Sequence, residues 1–131
     1  MTKKVKGYKG LPMEGPVARW YTKITYNNYD DFRAQASRLA GMTAKESRIL
    51  EIAPGPGYLS IELARLGYQV TGLDISKSFV EIAQRKAAEA GCRVDFRQGD
   101  AAHMPLPDDS FDLIVFLEAF HIIPHHVNAI F

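Results

Sequence analysis

Cysteine is nearly absent: Cys92 is the only one in 131 residues. No disulfide can form within the chain, which fits a reducing cytoplasm. Long apolar runs are missing too. Nothing resembles a signal-peptide core and no stretch is long enough to span a bilayer, so the sequence reads as soluble and cytoplasmic. An excess of either charge is also lacking, since 16 Lys and Arg against 15 Asp and Glu leave a net +1. That balance gives no reason to expect a nucleic-acid or membrane partner. A metal-ligand set is missing as well. His121, His125 and His126 match no established ligand spacing and have no cysteine nearby, so no metal is expected; His121 is kept as a candidate general base. With 47% hydrophobic and 24% charged residues, the chain has the composition of an ordinary globular domain with a core of its own.

The informative stretch runs from Ile49 to Asp74. Residues 48–53 form a short apolar run that suits a buried parallel strand. Pro54-Gly55-Pro56-Gly57 continues neither strand nor helix, because proline fixes φ and glycine tolerates backbone angles that others avoid. Leu59, Ile61, Leu63, Ala64 and Leu66 then recur at helical spacing, and Gly67 stops the helix. A second strand covers residues 69–73, with Asp74 at its end. This is a βαβ unit, whose ligand site lies beyond the carboxyl ends of its strands.

The turn narrows the ligand. A dinucleotide-binding turn carries three glycines at G-x-G-x-x-G and offers amides to a pyrophosphate. Here Ser60 stands in the third position, and Pro54 and Pro56 have no N–H to give. Asp74 lies 74 − 55 = 19 positions after Gly55, where an acidic residue takes ribose hydroxyls. A ligand with a ribose but no diphosphate fits both features. A nicotinamide-dependent oxidoreductase fits neither the missing glycine nor the two prolines.

Glu51-Ile-Ala-Pro-Gly-Pro-Gly57, Leu73-Asp74-Ile75-Ser76, Gly99-Asp100-Ala101 and Phe111-Asp112-Leu-Ile-Val115 occur in that order. Together they resemble the class I S-adenosylmethionine-dependent methyltransferases, most closely the small ubiquinone-biosynthesis-like enzymes. The resemblance implies an α/β fold, a Rossmann-like parallel sheet with helices on both faces. It implies S-adenosyl-L-methionine as cofactor and a small-molecule acceptor. It also places Glu51 at the methionine end, Ala53, Gly55 and Gly57 at the backbone approach, Asp74 at the ribose, Asp100 at the adenine, Ile75 and Ala101 also against the cofactor, and Glu118 near the methionine amino group. Ala53 departs from the family, where glycine is more frequent. Met104 and Leu106 are placed to wall the adenine ring, and Tyr21 or Trp20 to close over the cofactor.

Taken in order, residues 1–15 read as a flexible basic arm carrying Lys3, Lys4, Lys6 and Lys9, and residues 16–131 as the cofactor-binding domain. Val17, Trp20, Tyr21, Ile24 and Tyr26 form an aromatic patch that caps the core. A helix follows over 29–42 with Asp30 and Asp31 in its first turn, where the helix dipole favours them. Ser76 or Ser78 caps the next helix, which stops at Gly91. Val94 and Phe96 alternate with polar residues as in an edge strand, and residues 111–117 form an apolar strand buried on both faces. The family fold continues with a helix and further strands, whereas this chain closes within the expected fourth crossover. The sequence therefore predicts a truncated sheet in the order 3-2-1-4, with the fourth strand as an exposed edge through which the chain forms a homo-oligomer.

Overall fold

The computed structural model describes residues 13–103 and 110–116, together with the backbone of His121–Ile123. Helices α1 (Gly15–Tyr26) and α2 (Tyr29–Ala40) precede strand β1 (Arg48–Ile52). Then come α3 (Tyr58–Arg65), β2 (Gln69–Asp74), α4 (Lys77–Ala90), β3 (Asp95–Gln98), β4 (Leu113–Phe116) and β5 (His121–Ile123). The sheet runs β3-β2-β1-β4-β5. Its first four strands are parallel and in the expected order, with Glu51 level with Gly72 on one side and Val115 on the other.

Side-chain alternation along the strands sorts the core. Ile49, Val70, Leu113 and Val115 point to the face covered by Ala36 and Leu39 of α2 and Leu59 and Leu63 of α3. On the same face, Ile61 of α3 and Val80, Ala83 and Ala87 of α4 pack with Phe96 of β3. Leu50, Leu73 and Ile114 point the other way, against Ile52, Ala101 and Phe111. The described helices α2, α3 and α4 thus gather on one face. Any helix covering the second face lies outside the described residues.

Helix ends follow their chemistry. The Ser76 hydroxyl accepts the Phe79 N–H at 3.1 Å and caps α4, so Ser76 fills the N-cap position, while Gly91 closes the helix at φ 70°. Ser78, the alternative cap, instead takes the N–H of Gly15 at 2.8 Å.

Three expectations need correction. Strand β4 is not an edge: β5 pairs with it antiparallel, Ile114 opposite Ile123 and Phe116 opposite His121. A returning strand needs only a short turn where a parallel one needs a long crossover. Residues 121–123 are strand and cover the β4 edge, so self-association through that edge loses its physical basis. The arm also ends earlier than residue 15, because the Met13 side chain is buried against Ala18, Phe79 and Ile82 and Gly15 already belongs to α1. The aromatic patch divides as well: Tyr21 is half-buried, whereas Trp20 is 60% exposed.

One packing detail carries a prediction. A Cβ on Gly72 would lie 2.6 Å from Phe96 Cδ1, and one on Gly57 would lie 2.8 Å from Phe96 Cζ. The Phe96 ring occupies the space that two absent side chains leave. Gly72→Ala should cost about 1–3 kcal/mol of stability, as overpacking of a filled core does. Urea denaturation measures this, and a loss below about 0.5 kcal/mol would contradict the packing argument.

Candidate functional site

Beyond the carboxyl ends of β1 and β2 the chain makes two tight turns, Ala53 to Gly57 and Ile75 to Ser76, and Asp74 joins them. Its Oδ2 accepts the Gly55 N–H at 2.9 Å and its Oδ1 accepts the Ser76 N–H at 2.9 Å. Asp74 is 1% exposed. Burial raises its pKa to about 6, against the lowering effect of those amides, with the charge of Glu14 adding to the rise.

The glycine turn spends its own donors. The Ala53 N–H goes to the Leu73 carbonyl at 2.8 Å, the Gly55 N–H to Asp74, and the Gly57 N–H to the Pro54 carbonyl at 3.1 Å. Pro54 and Pro56 have none. A diphosphate finds no free backbone amide between residues 53 and 57. The turn also shows why the family prefers glycine where this chain has Ala53, which sits at φ 57°, in the left-handed region. The preference is conformational as well as steric. Gly57, at φ 90°, faces Phe96 and Ala83, so the geometry gives it the helix-to-strand packing role of a third glycine.

Glu51 lies beneath the turn and is wholly buried. Ser60 Oγ donates to its Oε1 at 2.5 Å, while its Oε2 has no partner. Burial raises its pKa to about 8; the Ser60 hydrogen bonds oppose the rise and the charge of Asp74 adds to it. The residue that replaces the third glycine thus holds the acid at the first position of the same motif.

Asp100 is part-exposed on the loop after β3. Its Oδ1 accepts the Ala102 N–H and its Oδ2 pairs with His103 Nδ1, both at 2.9 Å. The His103 contact is the main reason its pKa falls below the usual carboxylate range. Ala101 packs beneath it on Leu50, Leu73 and Ile114. Ile75 is half-buried and its carbonyl accepts from Gln98 Nε2 at 3.3 Å. The structure brings Glu51, Ala53, Gly55, Asp74 and Ile75 to one end of the sheet. Glu118, Met104, Leu106, His125 and His126 lie outside the described residues, as does the side chain of His121. Tyr21 reaches the site: a Cβ on Gly55 would lie 3.9 Å from its Cε1. Sequence reasoning missed Ser60 as the partner of Glu51 and Glu14 at the start of α4. The nine-residue step from Glu51 to Ser60, from a strand to the first turn of the helix packed on it, was the available signal for the first.

Comparison with known proteins agrees with this geometry. A family of methyltransferase domains matches residues 49–131. Ubiquinone biosynthesis O-methyltransferase of Azorhizobium caulinodans is 43% identical over 74 residues, covering 56% of this chain and 29% of that protein. The 27-O-demethylrifamycin SV methyltransferase of Amycolatopsis mediterranei is 34% identical over 124 residues, covering 85% of this chain and 46% of its own length. A solved structure from Methanococcus maripaludis, assigned as an S-adenosyl-L-methionine-dependent methyltransferase, superposes with a TM-score of 0.72 at 27% identity, over 88% of this chain and 53% of that one. The chain belongs to the methyltransferase-domain family, in its class I S-adenosylmethionine-dependent form. It spans about half or less of the length of these relatives.

Two predictions follow from the site's electrostatics and strain. Glu51 and Asp74 hold protons more tightly when folded than when unfolded. Their contribution to stability is complete below the ordinary carboxylate range and is lost as pH rises through about 6 for Asp74 and about 8 for Glu51. Unfolding free energy should therefore fall between pH 5 and 8, by up to about 1.4 kcal/mol per pH unit for each group. Glu51→Gln should flatten the part above pH 6, and a wild-type profile that rises or stays level would refute the assignment. Ala53→Gly, which relieves a left-handed alanine, should leave stability unchanged or raise it by up to about 1 kcal/mol. The ordinary loss of about 1 kcal/mol for Ala→Gly would contradict it.

Proposed function

We propose that the protein transfers the methyl group of S-adenosyl-L-methionine to a small-molecule acceptor. The observation that carries this reading is a strand-end turn whose backbone donors are all spent internally, set over two buried carboxylates, Glu51 and Asp74. Such a site gives a diphosphate no backbone donor between residues 53 and 57 and leaves acid oxygens for ribose hydroxyls. The names of two relatives point to small molecules, one to ubiquinone biosynthesis and one to 27-O-demethylrifamycin SV.

The residues divide the ligand among them. Each Asp74 oxygen takes one backbone amide and keeps lone-pair capacity, enough to accept two neighbouring ribose hydroxyls. Glu51 has an unpartnered oxygen, assigned to the methionine end of the ligand. Ala53 and Gly55 allow close backbone approach. Asp100 accepts from the adenine amino group, with Ile75 and Ala101 along the ring. When bound, the cofactor supplies an electrophilic methyl group on a sulfonium. The chain's own contribution is to orient it, exclude water, and leave the methyl facing the acceptor.

The test is calorimetric titration with S-adenosylhomocysteine. Asp74→Ala should weaken binding by about 1–3 kcal/mol, the value of a charged hydrogen bond. Lys45→Ala, on an exposed loop away from the site, should leave it unchanged. Equal affinity for wild type and Asp74→Ala would remove the ribose assignment.

A further inference from the structure

A groove of about 610 Å³ runs between the end of α1, the start of α2, and the sides of α3 and α4. That volume is in the range of small-molecule sites. Helical spacing builds one wall of it. Tyr58, Ile61 and Arg65 recur along α3 at steps of three and four, with Glu62 among them, so one stripe of the helix carries ring, aliphatic chain and charge. Tyr58 and Ile61 are buried, whereas Tyr26 is 59% exposed. The Tyr26 ring is held all the same, with its centroid 5.6 Å from Tyr29 and 5.9 Å from Tyr58. The groove therefore has a fixed aromatic surface that no other side chain covers fully.

Cations stand over the neighbouring rings. Arg33 lies over Tyr29 and Lys86 over Tyr58, each 5.6 Å from the ring centroid, and those two rings are 5.3 Å apart. The buried Glu62 carboxylate accepts the Tyr29 O–H and pairs with Arg65 Nε at 3.1 Å and Arg33 Nε at 3.8 Å. One carboxylate thus serves two guanidinium groups, and their terminal N–H donors have no acceptor among the described residues. Lys86 likewise has no carboxylate partner among the described residues. Asp30 and Glu89 also line the groove, so the whole is balanced in charge: Arg33, Arg65 and Lys86 against Asp30, Glu89 and Glu62. Asp30 lies in the first turn of α2, where the helix dipole engages it. The balance disfavours a highly charged ligand. The unspent donors favour a single carboxylate, which a guanidinium binds through two parallel hydrogen bonds.

We propose that this groove is a second ligand site, for a planar aromatic monoanion of the aryl carboxylate class. Its ring lies against Tyr26 and its carboxylate is held by Arg33, Arg65 and Lys86. The site stands apart from the methyl-transfer reading, because Glu51, Ala53, Gly55, Asp74 and Asp100 are not in its lining.

Calorimetric titration of the unmutated chain with naphthoate is the test. Naphthylmethylammonium, which lacks the anion, and cyclohexanecarboxylate, which lacks the aromatic ring, serve as comparison probes. Naphthoate should occupy one site with a Kd of about 1 mM or tighter, as a ligand of its size can, and the other two should bind at least about tenfold more weakly. Arg33→Gln and Lys86→Gln leave Glu62 paired with Arg65 and Tyr29, and each should weaken naphthoate by about three- to tenfold. Tyr26→Ala should weaken it as well. Lys45→Gln, the same change of charge outside the groove, should not. The proposal is overturned by no saturable naphthoate binding, by equal binding of naphthylmethylammonium, or by an affinity that Arg33→Gln and Lys86→Gln lower no more than Lys45→Gln does. If one variant fails to unfold cooperatively, the other, on a different helix, and the probe comparison on the unmutated chain decide.

Discussion

Asp74 reaches from the end of β2 to the turn that follows β1, and its two oxygens take the N–H groups of Gly55 and Ser76. Without an acceptor there, Gly55 would leave a buried donor unsatisfied, at a cost of about 1–3 kcal/mol. With it, the turn is fixed and its donors are exhausted. Holding the carboxylate under cover has its own cost, visible in a pKa raised to about 6. The site is thus built around a strained acid, with a second buried acid, Glu51, directly below. With the turn's amides spent, this end of the sheet offers a phosphate no backbone donor from residues 53–57.

Packing fixes the remainder of the site. Phe96 fills the space beside Gly57 and Gly72 and meets Ala83 and Ala87 of α4. The glycine turn, the middle of β2 and the middle of α4 are therefore held by one ring. Ser60, in the first turn of α3, ties that helix to Glu51, while the Tyr58 hydroxyl donates to the Thr22 carbonyl at 3.0 Å and ties it to α1. Tyr58 and Tyr21 thus join α1 to the glycine turn and to the helix that follows it.

Much of this was legible in the sequence because it is local. The βαβ pattern, the two prolines and the 19-residue step to Asp74 depend on neighbours within one unit, and the parallel strand order followed. What escaped depends on long-range partners. Ser76 and Ser78 look equally good as caps until Gly15 arrives to claim Ser78. Glu14 reads as an exposed residue of an arm until its 64-residue reach to Ser78 is seen. Gly72 is one glycine in a strand until Phe96 is placed against it. Strand β5 went unseen because its three residues, His121–Ile123, carry too little pattern to be read as a strand. Asp100 shows the reverse case: its family role is implied by its place in the motif, while the structure shows it engaged by Ala102 and His103.

The central claim is that the turn between β1 and α3 accepts an adenosyl ligand and refuses a dinucleotide. Thermal unfolding of the purified chain with S-adenosylhomocysteine, and separately with NAD, tests it most directly. A ligand at 100 times its dissociation constant stabilises the native state by about 2.7 kcal/mol, which is several degrees for a domain of this size. The account predicts an upward shift with S-adenosylhomocysteine and none with NAD. A shift with NAD, or a cooperative transition that neither ligand moves, would contradict it.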